Sequence, residues 1–263
     1  MKISIITINL NNREGLRKTI KSVVSQTYKD FEWIIIDGGS TDGSRELIEA
    51  YSDHVSYWVS EFDSGIYNAI NKGVRVATGD YYICLNSGDY LADNEVLERV
   101  APLLDGADFY VADQQQGDYH IWKPAVTSTD DICWLMSTRN IPPQSTFINK
   151  RVNNNYGMYD EDKQIMSDWW LFYKSIILGD ATLKKIPFIV SVFDLNGISS
   201  VQDNLGYQER ESYMSRIPRI AFFSNFYLNN YAIVDALRNS RWLFFLFRVL
   251  YWIYRKTTRK RDC

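Results

Sequence analysis

Along the chain, short apolar runs alternate with stretches in which apolar residues recur every three or four positions. Residues 3–8 ("ISIITI") are mostly β-branched, as expected of a strand covered on both faces. Leu16, Ile20, Val23 and Val24 then share one face of a helix predicted over residues 13–26. "FEWIIID" (31–37) reads as a second buried strand, "GGSTDGS" as a loop, residues 44–51 as a short helix and "VSYWVS" (55–60) as a third strand. In "SGIYNAINKGVRVATG", Ile66, Ala69, Ile70, Gly73 and Val74 line one helical face; "DYYICL" (80–85) and "DFYVAD" (108–113) predict further strands. Strands alternating with helices imply βαβ units, an α/β class and a largely parallel sheet. In such sheets the ligand crevice lies beyond the carboxyl ends of the strands. Residues 9–12, 37–42 and 86–89 all follow strand ends, so they are expected on one rim.

Beyond about residue 115 the pattern weakens. "IPPQSTFINK" (141–150) predicts a loop entering a strand, and "YDEDKQIMSDWWLFYKSIILGD" a loop entering a helix near Ser167. Residues 217–234 are aromatic and partly helical in pattern. The expected organisation is one half over residues 1–115, a second half of the same domain over 116–215, and a C-terminal helical segment over 216–263.

Composition narrows the class. Of 263 residues, 46% are hydrophobic and 15% aromatic, enough for a sizeable core. Cys84, Cys133 and Cys263 are widely spaced and form neither a disulfide framework nor a CxxC motif, which fits a reducing cytoplasm. With only His54 and His120, a zinc site or a histidine-based triad is disfavoured. The N-terminus lacks the pattern of a signal peptide.

Net charge is −3, yet residues 238–261 carry eight basic groups and no acid. An acidic body argues against nucleic acid as a partner, whereas the basic, aromatic tail suits a membrane surface. Within that tail, residues 242–254 are apolar except for Arg248. As a helix this run is about 20 Å long, short of the ~30 Å hydrocarbon core, so it reads as an interfacial helix at anionic lipid. The alternative is a helix docked on residues 217–234.

Two polar turns could carry chemistry. In "IIIDGGSTDGS", a carboxylate at a strand end is followed by glycines that let a ribose or base edge approach. Ser40, Thr41 and Asp42 can cap the next helix. In "LNSGD", Asp89 could hold a divalent cation with Asn86 as a neutral oxygen ligand. Taken singly, the first stretch is equally an ordinary strand-to-helix turn, and the second reads more readily as a helix cap before "NEVLERV". Neither is a Walker loop or a GxGxxG motif.

Taken in order, "ISIITINLNN", "IIIDGGSTDGS" and "DSGIYNAINKGVRVATGDYYICLNSGD" resemble the family 2 glycosyltransferases, inverting enzymes of GT-A fold. The resemblance is close over residues 3–113 and looser over 140–175. It implies a nucleotide diphosphate sugar as donor and a divalent cation, manganese or magnesium. It puts Asn9 against the base, Asp37 on the uracil or ribose with Asp42 nearby, and Asp89 on the metal beside Asn86.

This chain departs from the family in two places. Asn86-Ser87-Gly88-Asp89 stands where the family's Asp-x-Asp motif carries two or three aspartates, so Asp63 could assist Asp89. Ile70 stands where an arginine is common, so Lys72 is a candidate for the diphosphate charge, the alternative being a solvated helix lysine.

Inverting transfer requires a carboxylate that accepts the acceptor hydroxyl's proton. "QIMSDWWLF" resembles the family segment that supplies it, which makes Asp168 the candidate base, with Asp160, Glu161 and Asp162 as rivals in a solvated loop. Trp169 and Trp170 would shield the site or stack on a sugar; alternatively they face the core while Ser167 or Asp168 caps the helix. Gln144 in "PPQSTF" is expected on the acceptor side.

No Gln-x-x-Arg-Trp motif of processive synthases occurs, so transfer of a single sugar is expected. The implied acceptor is a glycan, polyprenyl-diphosphate-linked, at the inner face of the cell membrane, in polysaccharide biosynthesis. Two other readings stay open: a nucleotidyltransferase, and a non-catalytic nucleotide-sugar-binding protein at the membrane surface.

Overall fold

The structure, a computed structural model, describes residues 1–117, 119–126, 132, 135–136, 140–195 and 203–215. The chain forms two compact units, Met1–Arg210 and Glu211–Cys263. The tail over 216–263, with its expected interfacial helix, lies outside the described residues. Among the described residues, no helix is long and apolar enough to cross a membrane.

The first unit is built on one sheet. Strands β1 (Ile3–Asn9), β2 (Phe31–Asp37), β3 (Tyr57–Ser60) and β4 (Tyr81–Cys84) pair in parallel in the order β3-β2-β1-β4. Between them run α1 (Arg13–Val24), α2 (Ser44–Ala50) and α3 (Ile66–Val76). These are the elements the apolar pattern predicts. α1 ends two residues before the expected Gln26, whose buried side chain bonds the Ser22 and Asp93 carbonyls and accepts from Leu97 N instead. α3 lies so close to β1 that a Cβ on Gly73 would stand 2.4 Å from Ile6 Cγ2.

Past β4 the sheet becomes mixed. β5 (Tyr90–Leu91) and α4 (Val96–Val100) lead to β6 (Phe109–Gln116) and β7 (His120–Trp122). β8 (Thr146–Asn149) follows and inserts antiparallel between β4 and β6. After α5 (Arg151–Tyr156) and α6 (Ser167–Phe172), β9 (Leu183–Phe193) runs parallel to β6 and takes β5 on its other side. Helix α7 (Asp203–Ser215) follows.

The parallel expectation therefore holds for β1 to β4 and again for the β6–β9 pair, whereas β5, β7 and β8 pair antiparallel with their neighbours. The sequence pattern also missed β9, because Lys184, Lys185 and Pro187 interrupt its apolar run. Pro187 lacks an N–H, and the pairing skips from Ala112–Ile186 to Asp113–Ile189 at that point.

Register places the polar strand ends side by side. Asn9 pairs with Asp37, and Asp37 with Ser60, across the last rung of three parallel strands. Apolar residues of β1, β2 and β4 pack beneath with α1, α2 and α4, so the polar rim stands on a rigid core.

Candidate functional site

The first cluster grows from that last rung. Asp37 is fully buried and its two carboxylate oxygens accept four hydrogen bonds. Oδ1 takes Asn9 Nδ2 at 2.7 Å and Ser40 Oγ at 2.6 Å; Oδ2 takes Ser40 N at 2.9 Å and Ser60 Oγ at 2.6 Å. Burial raises its pKa, but these donors outweigh burial and hold it below the usual carboxylate range.

The Asp37 acceptor positions are taken by the rim itself, which orders Asn9, Ser40 and Ser60 around the end of β2. An open acceptor stands next to it: Asn9 Oδ1 is buried and has no partner. Gly38 and Gly39 leave the backbone bare at this point, Gly39 with a φ of +82° that favours glycine.

Asp42 serves the start of the next helix, as its place in the turn allowed. Its carboxylate accepts Arg13 N at 2.8 Å and Ser44 N at 3.1 Å, which ties the starts of α1 and α2 together. Lys72 lies on α3, its ammonium 2.6 Å from Asp63 and 2.7 Å from Glu61, and donates to the Phe62 carbonyl. Its charge is met by the loop that leads into α3. Asp63 stands over Gly38, its Oδ2 3.2 Å from where a Cβ there would be, on the Asp37 side of the rim.

The second cluster is the turn after β4, and α1 binds it to the first. Asn12 caps α1 by accepting Gly15 N, and its Nδ2 donates to the Ser87 carbonyl at 3.0 Å. Thr19 Oγ1 donates to the Asp89 carbonyl at 2.7 Å and accepts Gly88 N. The loops after β1, β2 and β4 thus share one rim, as expected.

Asp89 is buried, and burial pushes its carboxyl up to about 8. The nearby Asp194 charge adds to the rise, while the N–H groups of Asp194 and Asn86 oppose it. Asp194 follows β9 and sends its N–H to Asp89 Oδ1 at 2.9 Å. Asn86 Oδ1 is buried without a partner. Two carboxylates and an unanswered amide oxygen are a hard-oxygen donor set suited to magnesium or manganese, which also take phosphate oxygens. Among the described residues, no group of three His, Cys, Asp or Glu forms such a set.

Asp168 forms the third cluster. Its Oδ1 accepts Tyr67 Oη at 2.9 Å and Trp169 N at 2.7 Å, and its Oδ2 accepts Asn140 Nδ2 at 3.0 Å. Burial raises the carboxyl to about 6 against the pull of these donors. Cys84, the last residue of β4, lies close enough to feel the Asp168 charge; burial first and that charge second push its thiol up to about 12.

The tryptophans divide. Trp169 is fully buried and donates its indole N–H to the Met136 carbonyl, whereas Trp170 is half-buried and stacks on Tyr173. Of the rival acids, Glu161 accepts from Asn68, Asn71 and Arg75, so it anchors α3 and does not merely face solvent. Gln144 is buried, 3.5 Å from Gln114 Nε2, beside β6 and β8.

Sequence reasoning missed Asp194, Asn140, Ser60 and Tyr67. Asp194, Asn140 and Ser60 stand in no motif, and Tyr67 lies in one without any sign of its partner; each reaches that partner through long-range folding.

A mixed sheet with flanking helices, whose first four parallel strands end in a polar rim and whose second half supplies further acids, is the GT-A glycosyltransferase fold. The family model for Glycosyl transferase family 2 matches residues 4–176, and the chain belongs to that family. An uncharacterized glycosyltransferase of Mycobacterium tuberculosis is 29% identical over 205 residues, covering 75% of this chain and 77% of the relative. A PGL/p-HBAD biosynthesis glycosyltransferase of Mycobacterium bovis is 28% identical over 176 residues, covering 63% and 66%.

Among solved structures, Staphylococcus aureus TarS 1–349 superimposes with a TM-score of 0.64 at 15% identity, covering 82% of this chain and 72% of that one. The mannosyltransferase PcManGT from Pyrobaculum calidifontis, in complex with GDP-Man and Mn2+, also gives 0.64 at 15% identity, covering 98% and 83%.

Proposed function

We propose that this glycosyltransferase moves one sugar, with inversion, from a nucleotide diphosphate sugar to a hydroxyl of a lipid-linked glycan at the inner face of the cell membrane. The observation that carries the reading is Asp168, a buried carboxyl held by three donors and raised to about 6. A base poised near the working pH combines sufficient ionisation with proton affinity.

In this reading Asp168 takes the acceptor's proton as the hydroxyl oxygen attacks the anomeric carbon. The bond from that carbon to the diphosphate oxygen breaks, its electron pair leaving with the nucleoside diphosphate, and the configuration inverts. Asn9 Oδ1, unpartnered at the rim, meets a donor N–H of the base, with Asp37 fixing the amide's orientation. Asp89, Asn86 and Asp194 would hold a divalent cation, which when bound supplies positive charge to the leaving diphosphate.

Residues 1–115 serve the donor, joined by Asp194; the rest of 116–215 serves the acceptor, with Gln144 on that side, and 216–263 the membrane. The names of the relatives support this reading: one acts in PGL/p-HBAD biosynthesis, TarS has been crystallised with UDP-GlcNAc, and PcManGT with GDP-Man and Mn2+.

The test is a panel of UDP- and GDP-linked sugars assayed for thermal stabilisation with and without Mn2+, since a ligand of the native state raises stability by mass action. The stabilising donor should then be hydrolysed slowly by the native protein and not by Asp168→Asn. No stabilisation by any sugar nucleotide, or undiminished hydrolysis by Asp168→Asn, would overturn the reading.

A further inference from the structure

Glu209 lies on α7, beyond the residues 4–176 that match the family. It is buried, and its carboxylate takes three consecutive main-chain N–H groups: Gln164 at 2.7 Å on Oε1, Ile165 at 2.9 Å and Met166 at 3.0 Å on Oε2. Three converging amides form a concave partial positive charge that a carboxylate complements with strong, charge-assisted bonds. The tripeptide they belong to runs directly into α6, whose second residue is Asp168.

The neighbouring Arg210 holds the far side of the same segment. It is buried, donates Nη2 to the Met136 carbonyl at 2.9 Å and lies 5.0 Å over the Trp169 ring. The Trp169 indole donates to that same carbonyl at 2.8 Å. Successive residues of α7 therefore hold the backbone just before Asp168 and the ring just after it. The donors on Asp168 depend on this hold. Trp169 N belongs to the held segment, and Tyr67 Oη, which donates to Asp168, also contacts the Ile165 carbonyl.

We propose that Glu209 is a positioning residue for Asp168: it fixes the 164–166 backbone and so sets the orientation and dryness of the Asp168 carboxyl. The proposal rests on Asp168 being the base only for its catalytic consequence; the positioning itself is a property of the free protein. Displacements of about 1 Å in a reacting group cost on the order of 100-fold in rate, so such a clasp matters to turnover.

The experiment uses the full chain with 13C-labelled aspartate carboxyls and no ligand. The Asp168 signal is assigned by its loss in Asp168→Asn and followed against pH, while amide exchange of residues 164–166 is measured alongside. In Glu209→Ala the three amides should exchange at least about tenfold faster, because their charged acceptor is gone. The Asp168 midpoint should move at least about one pH unit down, toward the ordinary ~3.9, as water enters and its hydrogen bonds replace those of the loosened donors; a rise would overturn the proposal.

Glu209→Gln keeps one acceptor oxygen and should fall between native and Ala in both readouts; it also carries the test if the alanine variant does not fold. Faster exchange with an unmoved Asp168 midpoint would overturn the proposal, leaving Glu209 a purely structural cap. So would unchanged exchange. Hydrolysis that survives in Asp168→Asn would remove the base assignment and leave the titration result standing, so the two ideas fail separately.

Discussion

Tyr67 and Asp168, 101 residues apart, share a hydrogen bond of 2.9 Å between phenolic oxygen and carboxylate. The tyrosine has one proton and two acceptors within reach, since the Ile165 carbonyl is also in contact. With Asp168 ionised the proton is drawn to the carboxylate. With Asp168 protonated, the aspartic acid can donate to Tyr67 while Tyr67 donates to Ile165. The pair is thus built to accommodate either charge state of the proposed base.

From this follows a pH profile. Asp168 titrates at about 6, so hydrolysis of a sugar nucleotide should lose activity as pH falls through that value. Tyr67→Phe removes a donor that favours the ionised form. One charge-assisted bond is about 1.5–3 kcal/mol, so the acid limb should move up by about one to two pH units. Rates measured from pH 5 to 9 should show the deficit shrinking toward high pH. A uniform loss at every pH would contradict the assigned role of Tyr67.

Asn9 and Asp37 give a second test. Asn9→Asp would set two carboxylates where the amide now donates at 2.7 Å, and one of them would have to hold a proton. Loss of the charge-assisted bond alone predicts destabilisation of about 1.5–3 kcal/mol at pH 7. The deficit should shrink at pH 5, where a shared proton costs less. Urea unfolding at both pH values measures it.

Much of this rim was legible in the sequence because it lies where apolar runs stop. Ile8 to Asn9 and Ile36 to Asp37 mark strand ends directly, and parallel register then forces the two polar residues together. The strand that ends in Ser60 could be read the same way, but a serine at an edge carries no signal that it will bond a carboxylate. Asp194 and Glu209 were illegible for a different reason. Each acts through a main-chain N–H, its own or its neighbours', and such bonds leave no side-chain pattern. Helical spacing shows which face Lys72 occupies, but not that Glu61 and Asp63 fold back onto that face.

The turn after β4 predicts a linkage between cation and proton. Asp89 is raised to about 8 in the folded protein, far above an ordinary aspartate. Between those values the folded state binds more protons than the unfolded one, so in chelator stability should fall as pH rises from about 4 to about 8. A cation takes the place of that proton, so the Tm increment from Mn2+ should grow between pH 6.5 and 8, above the range in which Asp168 titrates. Asp89→Asn should flatten the chelator slope and abolish the increment. Gly88→Ala should abolish it as well, because its φ of +107° is unfavourable to a side chain and its Cβ would stand 2.6 Å from Asp194 Oδ2. An undiminished increment in either variant would place the cation elsewhere.

At the opposite end of the strands, Glu32 offers a test of stability free of the site. Its buried carboxylate accepts Ser4 Oγ, Thr78 N and Oγ1, and Gly79 N, and pairs with Lys2 at 3.2 Å. Burial raises its pKa, but the bonds from Ser4, Thr78 and Gly79 prevail and lower it to about 2. A folded value below the unfolded one means stability that is present above about 4.5 and lost as pH falls toward about 2. Glu32→Gln should therefore be destabilised at pH 7 and converge on the native protein near pH 2–3. Donor binding should be unaffected, because these bonds fasten the starts of β1 and β4 and not their ends. Thermal unfolding of both proteins from pH 2.5 to 7 checks the convergence. A gap that stayed constant with pH would mean the carboxylate's charge contributes nothing and only its shape is needed.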